Sequence, residues 1–451
     1  MRSNHLSNNV KLRCLLLFIS LLPLGGCGGW WKRPAATERA NVNAPSGDSA
    51  PVPSADEAAR GAVEFLEERV RRDPDDFIAH NQLVNYYLEL EHETGDTRYL
   101  ESALKAAQAS LKAIPAEQNA EGLAALIRAE AALHKFASAR ANAQRYVELE
   151  PQKRAPYVLL FDTQLELGDY DGAAKTLAKM EGLAERSVDE ETRRARYAQI
   201  TGDTDAATRH LTQALTIART YSATHADTLA WYHWQLGETA FSVGQYEPAE
   251  RHYRDALALF PDDIHARASL ARVRAARGDL QGAIKEYETV NTRLPEPPYL
   301  AALGDLYQLT GRAPEAAKMY AEVERVGRLT PLESNLHERL LSIFYADHDL
   351  KTEEAYAAAV EDYSARQDIY GADTLAWTAL KAGKIKEAQA AIKDALRMGT
   401  KDARLLYHAG MIARAAGDRE SARDYLTRAL SLNPQFDPLQ VSIAKKALEE
   451  R

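Results

Sequence analysis

The sequence predicts an all-α chain: an α-solenoid superhelix of about ten helix-turn-helix repeats, closed at each end by a capping helix. Three observations carry this expectation. A glycine followed five residues later by an alanine recurs as GDYDGA from Gly168, GDTDAA from Gly202, GQYEPA from Gly244, GDLQGA from Gly278, GRAPEA from Gly311, GKIKEA from Gly383 and GDRESA from Gly417. The steps are 34, 42, 34, 33, 72 and 34 residues, a period that marks stacked supersecondary units. The runs between these turns are 12–16 residues long and rich in Ala, Leu, Glu, Lys and Arg, which are good helix formers. Pro261, Pro295 and Pro434 then close second helices, because proline cannot continue one.

Residues 1–26 come first. Arg2, Lys11 and Arg13 precede CLLLFISLLPL, an apolar run far short of the roughly 20 residues that span a bilayer. A basic segment followed by a short apolar run is the pattern of a secretory signal peptide. Its end, Leu24-Gly25-Gly26-Cys27, resembles the lipobox of bacterial lipoproteins. That resemblance implies cleavage between Gly26 and Cys27 and a diacylglycerol group on the Cys27 thiol. The chain's other cysteine, Cys14, lies in the segment to be removed, so no disulfide can form within the mature chain. Each buried acyl CH₂ contributes about 0.8 kcal/mol, and two or three chains hold firmly where one does not. Gly28 stands where an aspartate would imply inner-membrane retention. The expectation is an exported, lipid-anchored chain, on the periplasmic side of the outer membrane if the host has two membranes.

Residues 27–55 are rich in Pro, Ala, Ser, Asn and Gly and nearly free of aliphatic side chains, so they read as a flexible tether. As a loose coil it would span about 30 Å. Trp30 and Trp31 either rest among lipid headgroups, where tryptophan is favoured, or are chance aromatics. Loss of residues 1–26 removes three basic side chains and no acid, which leaves 53 basic against 65 acidic and moves the formal charge from −9 to −12. An acidic surface argues against a nucleic-acid partner, which needs a basic face.

Residues 56–75 read as the N-terminal cap, 76–229 as degenerate repeats, 230–330 as well-formed repeats, 331–368 as a degenerate one, 369–436 as repeats and 437–451 as the C-terminal cap. YADHDLKTEEA, from Tyr345 to Ala355, fills the 72-residue step. An insertion near HETGDTR separates the two helices of the copy at 76–115. The run Ala230–Asp263 carries His233, Leu236, Gly237, Ala249, Tyr253, Ala256 and Pro261. It resembles the tetratricopeptide repeat, with His233 in the place of the family's tryptophan. About four-fifths of the chain follows that pattern. Small residues at Gly237 and Ala249 let paired helices approach closely. Each repeat is expected to touch only its neighbours, so that stability is a sum of local terms.

No HExxH, P-loop, GxSxG or CxxC occurs, and no nucleophile is identifiable, so a non-enzymatic chain without cofactors is expected. Histidines such as His225 and His233 are eight apart rather than four, so no metal site is expected from their spacing. The acidic groups Asp189-Glu190-Glu191 and Glu353-Glu354 read as solvated faces or helix N-termini. The family resemblance implies that positions 2, 5, 9 and 12 of each first helix face a concave groove. With Ala230 as position 1, these are Trp231, Trp234, Glu238 and Phe241, which puts three aromatics on one exposed stripe. Tyr370 and Trp377 take positions 2 and 9 of a later copy, and Tyr407 and Met411 take 5 and 9 of another. The alternative is that these side chains pack against neighbouring repeats. Asn81 and Asn85 hold two positions of the family's carboxylate clamp, but Arg128 and Ala155 depart from it, so that clamp is not expected. Two functions fit: a scaffold holding a protein or peptide in its groove during cell-envelope assembly or export, or an accessory of polysaccharide export stacking a sugar or apolar ligand on the groove aromatics.

Cys27→Ala is expected to abolish incorporation of labelled fatty acid and to release the chain from membranes. Unchanged labelling of that variant would remove the anchor.

Overall fold

In a computed structural model of the chain, residues 55–94, 96–183, 187–221, 224–329 and 335–450 are described, and Gly26, Cys27 and the tether lie outside them. Among the described residues there are 22 α-helices and no strand. No described helix is long and apolar enough to cross a membrane. The chain forms two compact units, Met1–Pro151 and Gln152–Arg451.

The first unit holds α1 (Ala55–Arg72), the pair α2 (Phe77–Thr94) and α3 (Arg98–Ala113), and the pair α4 (Ala120–Ala132) and α5 (Phe136–Leu149). Val63 and Leu66 of α1 pack with Leu83, Val84 and Leu90 of α2 and Ala103 and Ala107 of α3. Of the HETGDTR insertion, residues 92–94 extend α2 and Arg98 opens α3.

The second unit holds eight helix pairs and one closing helix. The pairs are α6 (Arg154–Glu166) with α7 (Tyr170–Glu181), α8 (Val188–Ile200) with α9 (Thr204–Ala218), α10 (Ala226–Ser242) with α11 (Tyr246–Leu259), and α12 (Ile264–Ala276) with α13 (Leu280–Arg293). They continue as α14 (Pro297–Leu309) with α15 (Ala313–Leu329), α16 (Asn335–Asp347) with α17 (Thr352–Ala365), α18 (Ile369–Lys381) with α19 (Ile385–Ala395), and α20 (Ala403–Ala415) with α21 (Arg419–Leu432). The last helix is α22 (Gln440–Glu449).

The recurring glycine sets the turn inside each pair. All seven in-step glycines have positive φ, from 73° at Gly168 to 86° at Gly278. A side chain at that φ costs about 1–2 kcal/mol, which is why the position favours glycine. Two of the pairs without the glycine bend on non-glycine residues at positive φ instead: His134 before α5, and Asp349 and Lys351 before α17. Where aspartate follows the glycine it caps the second helix, Asp169 accepting from the Gly172 N–H and Asp203 from the Ala206 N–H. Such caps contribute about 1 kcal/mol each. Ala249, Ala283 and Ala388 are fully buried where the second helix meets the first.

First helices pack against first helices. α6 touches α8, α10 touches α12, α14 touches α16, α16 touches α18, and α18 touches α20. No two second helices of the described chain make a comparable contact. The first helices therefore form the inner, concave side of the stack.

The stack in the second unit does not stay open, which corrects the expectation that repeats touch only their neighbours. The Tyr170 hydroxyl accepts from the Ile369 N–H at 2.9 Å, 199 residues away. Arg397 donates to the Gly168 and Gln367 carbonyls at 3.3 and 2.5 Å. Thr400 donates to the Ile200 carbonyl. The Asn433 side chain donates to the Phe241 carbonyl at 2.8 Å and accepts from the Tyr246 hydroxyl at 2.6 Å. Ile369 and Met398 join the apolar cluster of Phe161, Leu165 and Leu177. After six pairs the stack has come round: the turns after α6, α8 and α10 meet the segments before α18, before α20 and after α21.

Buried charges reinforce this seam. Arg339 lies 2.6 Å from Asp362 and 2.8 Å from Asp368, all three buried. Arg366 lies 3.6 Å from Glu166 and 3.7 Å from Asp368. Burial pushes the Glu166 carboxyl up to about 7, against the pull of Arg366 and with the push of Asp368. Its ordinary value is 4.5, so between 4.5 and about 7 the folded chain holds a proton that the unfolded chain has released. Stability from this group is thus full below 4.5 and lost as pH rises through 7. Glu166→Gln should match the parent at pH 5 and exceed it by about 1–3 kcal/mol at pH 8. Urea unfolding at both pH values measures this, and equal stability at pH 8 would contradict it.

Candidate functional site

The inner face of the second unit brings together most of the positions singled out in the sequence, but as a joint between repeats rather than as a bare stripe. Trp234, Phe241, Trp377 and Tyr407 are 6 %, 5 %, 2 % and 1 % exposed. The expected exposed stripe of three aromatics is thereby corrected: Trp234 and Phe241 are covered from α12 by Ser269 and Arg272, and Trp231 packs on the preceding repeat. Trp231 is half-buried, edge-on to Tyr232 with centroids 5.0 Å apart. Tyr370 is half-buried against the seam cluster, and Met411 is half-buried against the core of the last repeats.

The joint between α10 and α12 has Glu238 at its centre. Its carboxylate accepts from the Tyr253 hydroxyl at 2.7 Å, the Ser269 hydroxyl at 2.8 Å and the Arg272 guanidinium at 2.6 Å. The Trp234 Nε1–H donates to Ser269 Oγ at 3.0 Å. The Arg272 guanidinium lies over the Phe241 ring, 4.1 Å from its centroid. Burial works against the charge on Arg272, but Glu238 outweighs it and holds the guanidinium well above its ordinary range. Positions 5, 9 and 12 of α10 are thus all spent on one cluster with the next repeat.

The same cluster recurs two repeats on. Asp305 accepts from the Tyr320 hydroxyl at 2.9 Å and pairs with His348 Nε2 at 2.8 Å. Burial alone would pull the His348 imidazole down, yet the Asp305 carboxylate leaves it above the ordinary histidine range. The module has three parts: a glycine at position 8, a tyrosine from the second helix lying against it, and an acid at position 9 that takes the tyrosine hydroxyl. A Cβ on Gly237 would stand 2.3 Å from Tyr253 Cε1, and one on Gly304 would stand 2.4 Å from Tyr320 Cε1.

At the C-terminal end, Asp347 takes the place of the acid. It accepts from the Trp377 Nε1–H at 2.9 Å and the Gln440 amide at 2.6 Å. Trp377 stacks on His408 with centroids 4.2 Å apart, and His408 Nδ1 lies 2.8 Å from Asp373. Tyr407 packs on Phe436, 5.4 Å between centroids. Arg404 stays 41 % exposed at 3.3 Å from Asp437.

Other readings also meet their geometry. Asp189, Glu190 and Glu191 do open a helix, α8, but Glu190 and Glu191 are buried rather than solvated. Glu190 lies 3.2 Å from Arg154 and 3.0 Å from Arg194, and Glu191 lies 2.7 Å from His210. Asn81 is spent in the first unit, donating to Asn119 at 3.0 Å and accepting from Ser110 at 2.6 Å. His225 and His233 do not meet in a ligand set; His233 instead lies with His252 and Asp255, the one His/Cys/Asp/Glu group of metal-binding size among the described residues. Nothing in the spacing announced it, because His252 reaches His233 from the second helix of the pair.

Three tetratricopeptide-repeat family models match residues 191–262, 240–306 and 374–435, so the chain carries tetratricopeptide repeats. Among curated proteins it is similar to a cellulose synthase operon protein C of Komagataeibacter xylinus, 25% identical over 324 residues. That match covers 67% of this chain, and the chain spans 23% of the relative's length. Among solved structures it is similar to a thermophilic tetratricopeptide protein of Thermus thermophilus, 22% identical over 43% of this chain and 99% of that one, with a TM-score of 0.36. A human IFIT1 dimer with PPP-AAAA gives 14% identity over 83% of this chain and 86% of that one, with a TM-score of 0.44.

Gly237→Ala is expected to drive Tyr253 off Glu238 and to destabilise by about 1–3 kcal/mol. Gly61→Ala, in α1 with nothing within 4 Å of the added Cβ, should instead stabilise by up to about 1 kcal/mol. Thermal unfolding of both variants checks the contrast.

Proposed function

We propose that the chain is a membrane-anchored tetratricopeptide scaffold that holds a protein or peptide partner along the inner face of its second unit, in a cell-envelope process. The observation that carries this reading is the row of position-nine clusters. Glu238 and Arg272 remain 18 % and 28 % exposed, so charged edges still meet water between covered aromatic bases. A polar chain laid along that row would meet acids and cations in a fixed order. Polysaccharide export is the process we favour, because the cellulose synthase operon relative matches over 67% of this chain. The reading needs no catalytic group. A nucleic-acid partner remains disfavoured by the acidic balance.

The second reading, a carrier stacking sugars on groove aromatics, loses most of its platform. Trp234, Phe241, Trp377 and Tyr407 are buried against protein, which leaves Trp231 and Tyr370 as half-buried rings. The anchor is part of the proposal: Cys27 carries lipid, and the tether lets the repeats stand off an outer membrane on its periplasmic side.

A photoreactive residue at Met411, on the inner side of α20, should capture a repeatable protein partner in native membranes. The same residue at Arg254, 68 % exposed on the second helix α11, serves as control and should not. Equal capture from both positions, or capture of glycan alone from Met411, would sink the scaffold reading.

A further inference from the structure

His233, His252 and Asp255 are not used by the inner-face joints. His233 sits at position 4 of α10, 9 % exposed by its side chain. His252 and Asp255 lie one turn apart on α11, which packs against α10. His233 Nδ1 is 3.4 Å from His252 Nδ1 and 3.6 Å from Asp255 Oδ2. Each of the three offers one ligand atom, and these atoms all lie within 4.8 Å of one another.

Those separations have a chemical meaning. Zinc binds imidazole nitrogen at about 2.0–2.1 Å in a tetrahedron, so adjacent ligand atoms stand about 3.3 Å apart. The two measured edges are close to that. Read without a metal, 3.4 Å between two ring nitrogens is longer than an ordinary N–H hydrogen bond of about 2.7–3.2 Å, so hydrogen bonding explains the juxtaposition poorly. The imidazole–imidazole–carboxylate set suits a borderline divalent ion, zinc, cobalt or nickel, better than the all-oxygen shell of calcium or magnesium.

We propose that His233, His252 and Asp255 bind a divalent transition-metal ion, zinc first among them, clamping the two helices of the α10/α11 repeat. Three protein ligands leave the fourth tetrahedral position to water. Asp255, 58 % exposed, gives the ion its way in.

Arg219 opposes the ion. Its Nη2 lies 3.0 Å from His233 Nε2. A guanidinium only donates, so this contact keeps the His233 proton on Nδ1, the nitrogen that faces the other two ligands. Metal binding at Nδ1 moves that proton: Nδ1–H is lost to solvent and Nε2 becomes the N–H. That N–H would then point at the Arg219 donors. Arg219 closes the C-terminal end of α9 and is exposed, so it can swing out, at a cost to affinity. Ligating histidines ordinarily donate their second N–H to an acceptor. Arg219→Gln supplies one and should tighten binding several-fold.

The test uses the full chain in detergent, purified without a histidine tag and stripped with chelator. Cobalt titration should give the visible ligand-field bands of a tetrahedral site at one ion per chain, and zinc should displace it. His252→Gln and Asp255→Asn should each weaken binding by about tenfold or more, and Arg219→Gln should tighten it. Asp255 is exposed, so its variant folds and keeps the test valid if His252→Gln does not. Absence of tetrahedral cobalt bands, or zinc affinity unchanged in both ligand variants, overturns the site. Weaker binding in Arg219→Gln overturns the role given to Arg219.

Discussion

A single antiparallel helix pair cannot bury its own apolar stripe, and every other feature of this chain answers that constraint. Pairs stack so that each covers the next, which requires close approach, which requires alanine or glycine where the helices cross. Ala249, Ala283 and Ala388 sit at that crossing with no exposed surface. In the second unit the answer goes further than stacking. The run of pairs comes round and buries its flank against itself, through Tyr170, Arg397, Thr400 and Asn433. The seam carries ionised side chains out of water, and they remain tolerable because Arg339 and Arg366 are shared among several acids at once. Removing Arg339 or Arg366 leaves buried acids uncompensated, whereas the intact group gives little net stability.

The inner face follows from the same packing. First helices crowd together on the concave side, so a side chain there meets the next repeat before it meets a ligand. That is why position 5 tryptophan and position 12 phenylalanine on α10 end as the walls of a joint around Glu238 and Arg272. What is left to water is the charged edge of each joint. Recognition along this surface is then a matter of the order of charges rather than of stacked rings, and a partner has to compete with hydrogen bonds already made.

Local grammar was legible in the sequence; long-range closure was not. The seven glycines announced turns, and all seven adopt the left-handed backbone that only glycine enters freely. The aspartate after four of them caps the second helix, each with the hydrogen bond that defines a cap. Positions 5, 9 and 12 of α10, taken from the family resemblance, fall on the side that meets α12. Burial on that side depends on curvature, which is the sum of small rotations between pairs and has no signature in any one repeat. The seam joins loops whose sequences, such as RQD at 366–368 and MGT at 398–400, carry no mark of a partner two hundred positions away. His252 and His233 meet across a pair, at a spacing that no single-helix rule examines.

The seam has a consequence for how the chain comes into being. Its two sides are 187 to 229 residues apart, so the second unit has high contact order even though each pair is local. A ribosome adding about 5–20 residues per second needs about 10–40 s to make the two hundred residues between them. During that interval α6–α11 can pair and stack, yet the flank formed by Phe161, Tyr170 and Ile200 has nothing to cover it. Nascent chains of this protein therefore pass through a stage with native helices and one uncovered apolar edge. The residues that complete the seam are made some two hundred positions after those they cover, which gives truncations before them an effect far upstream of where they cut.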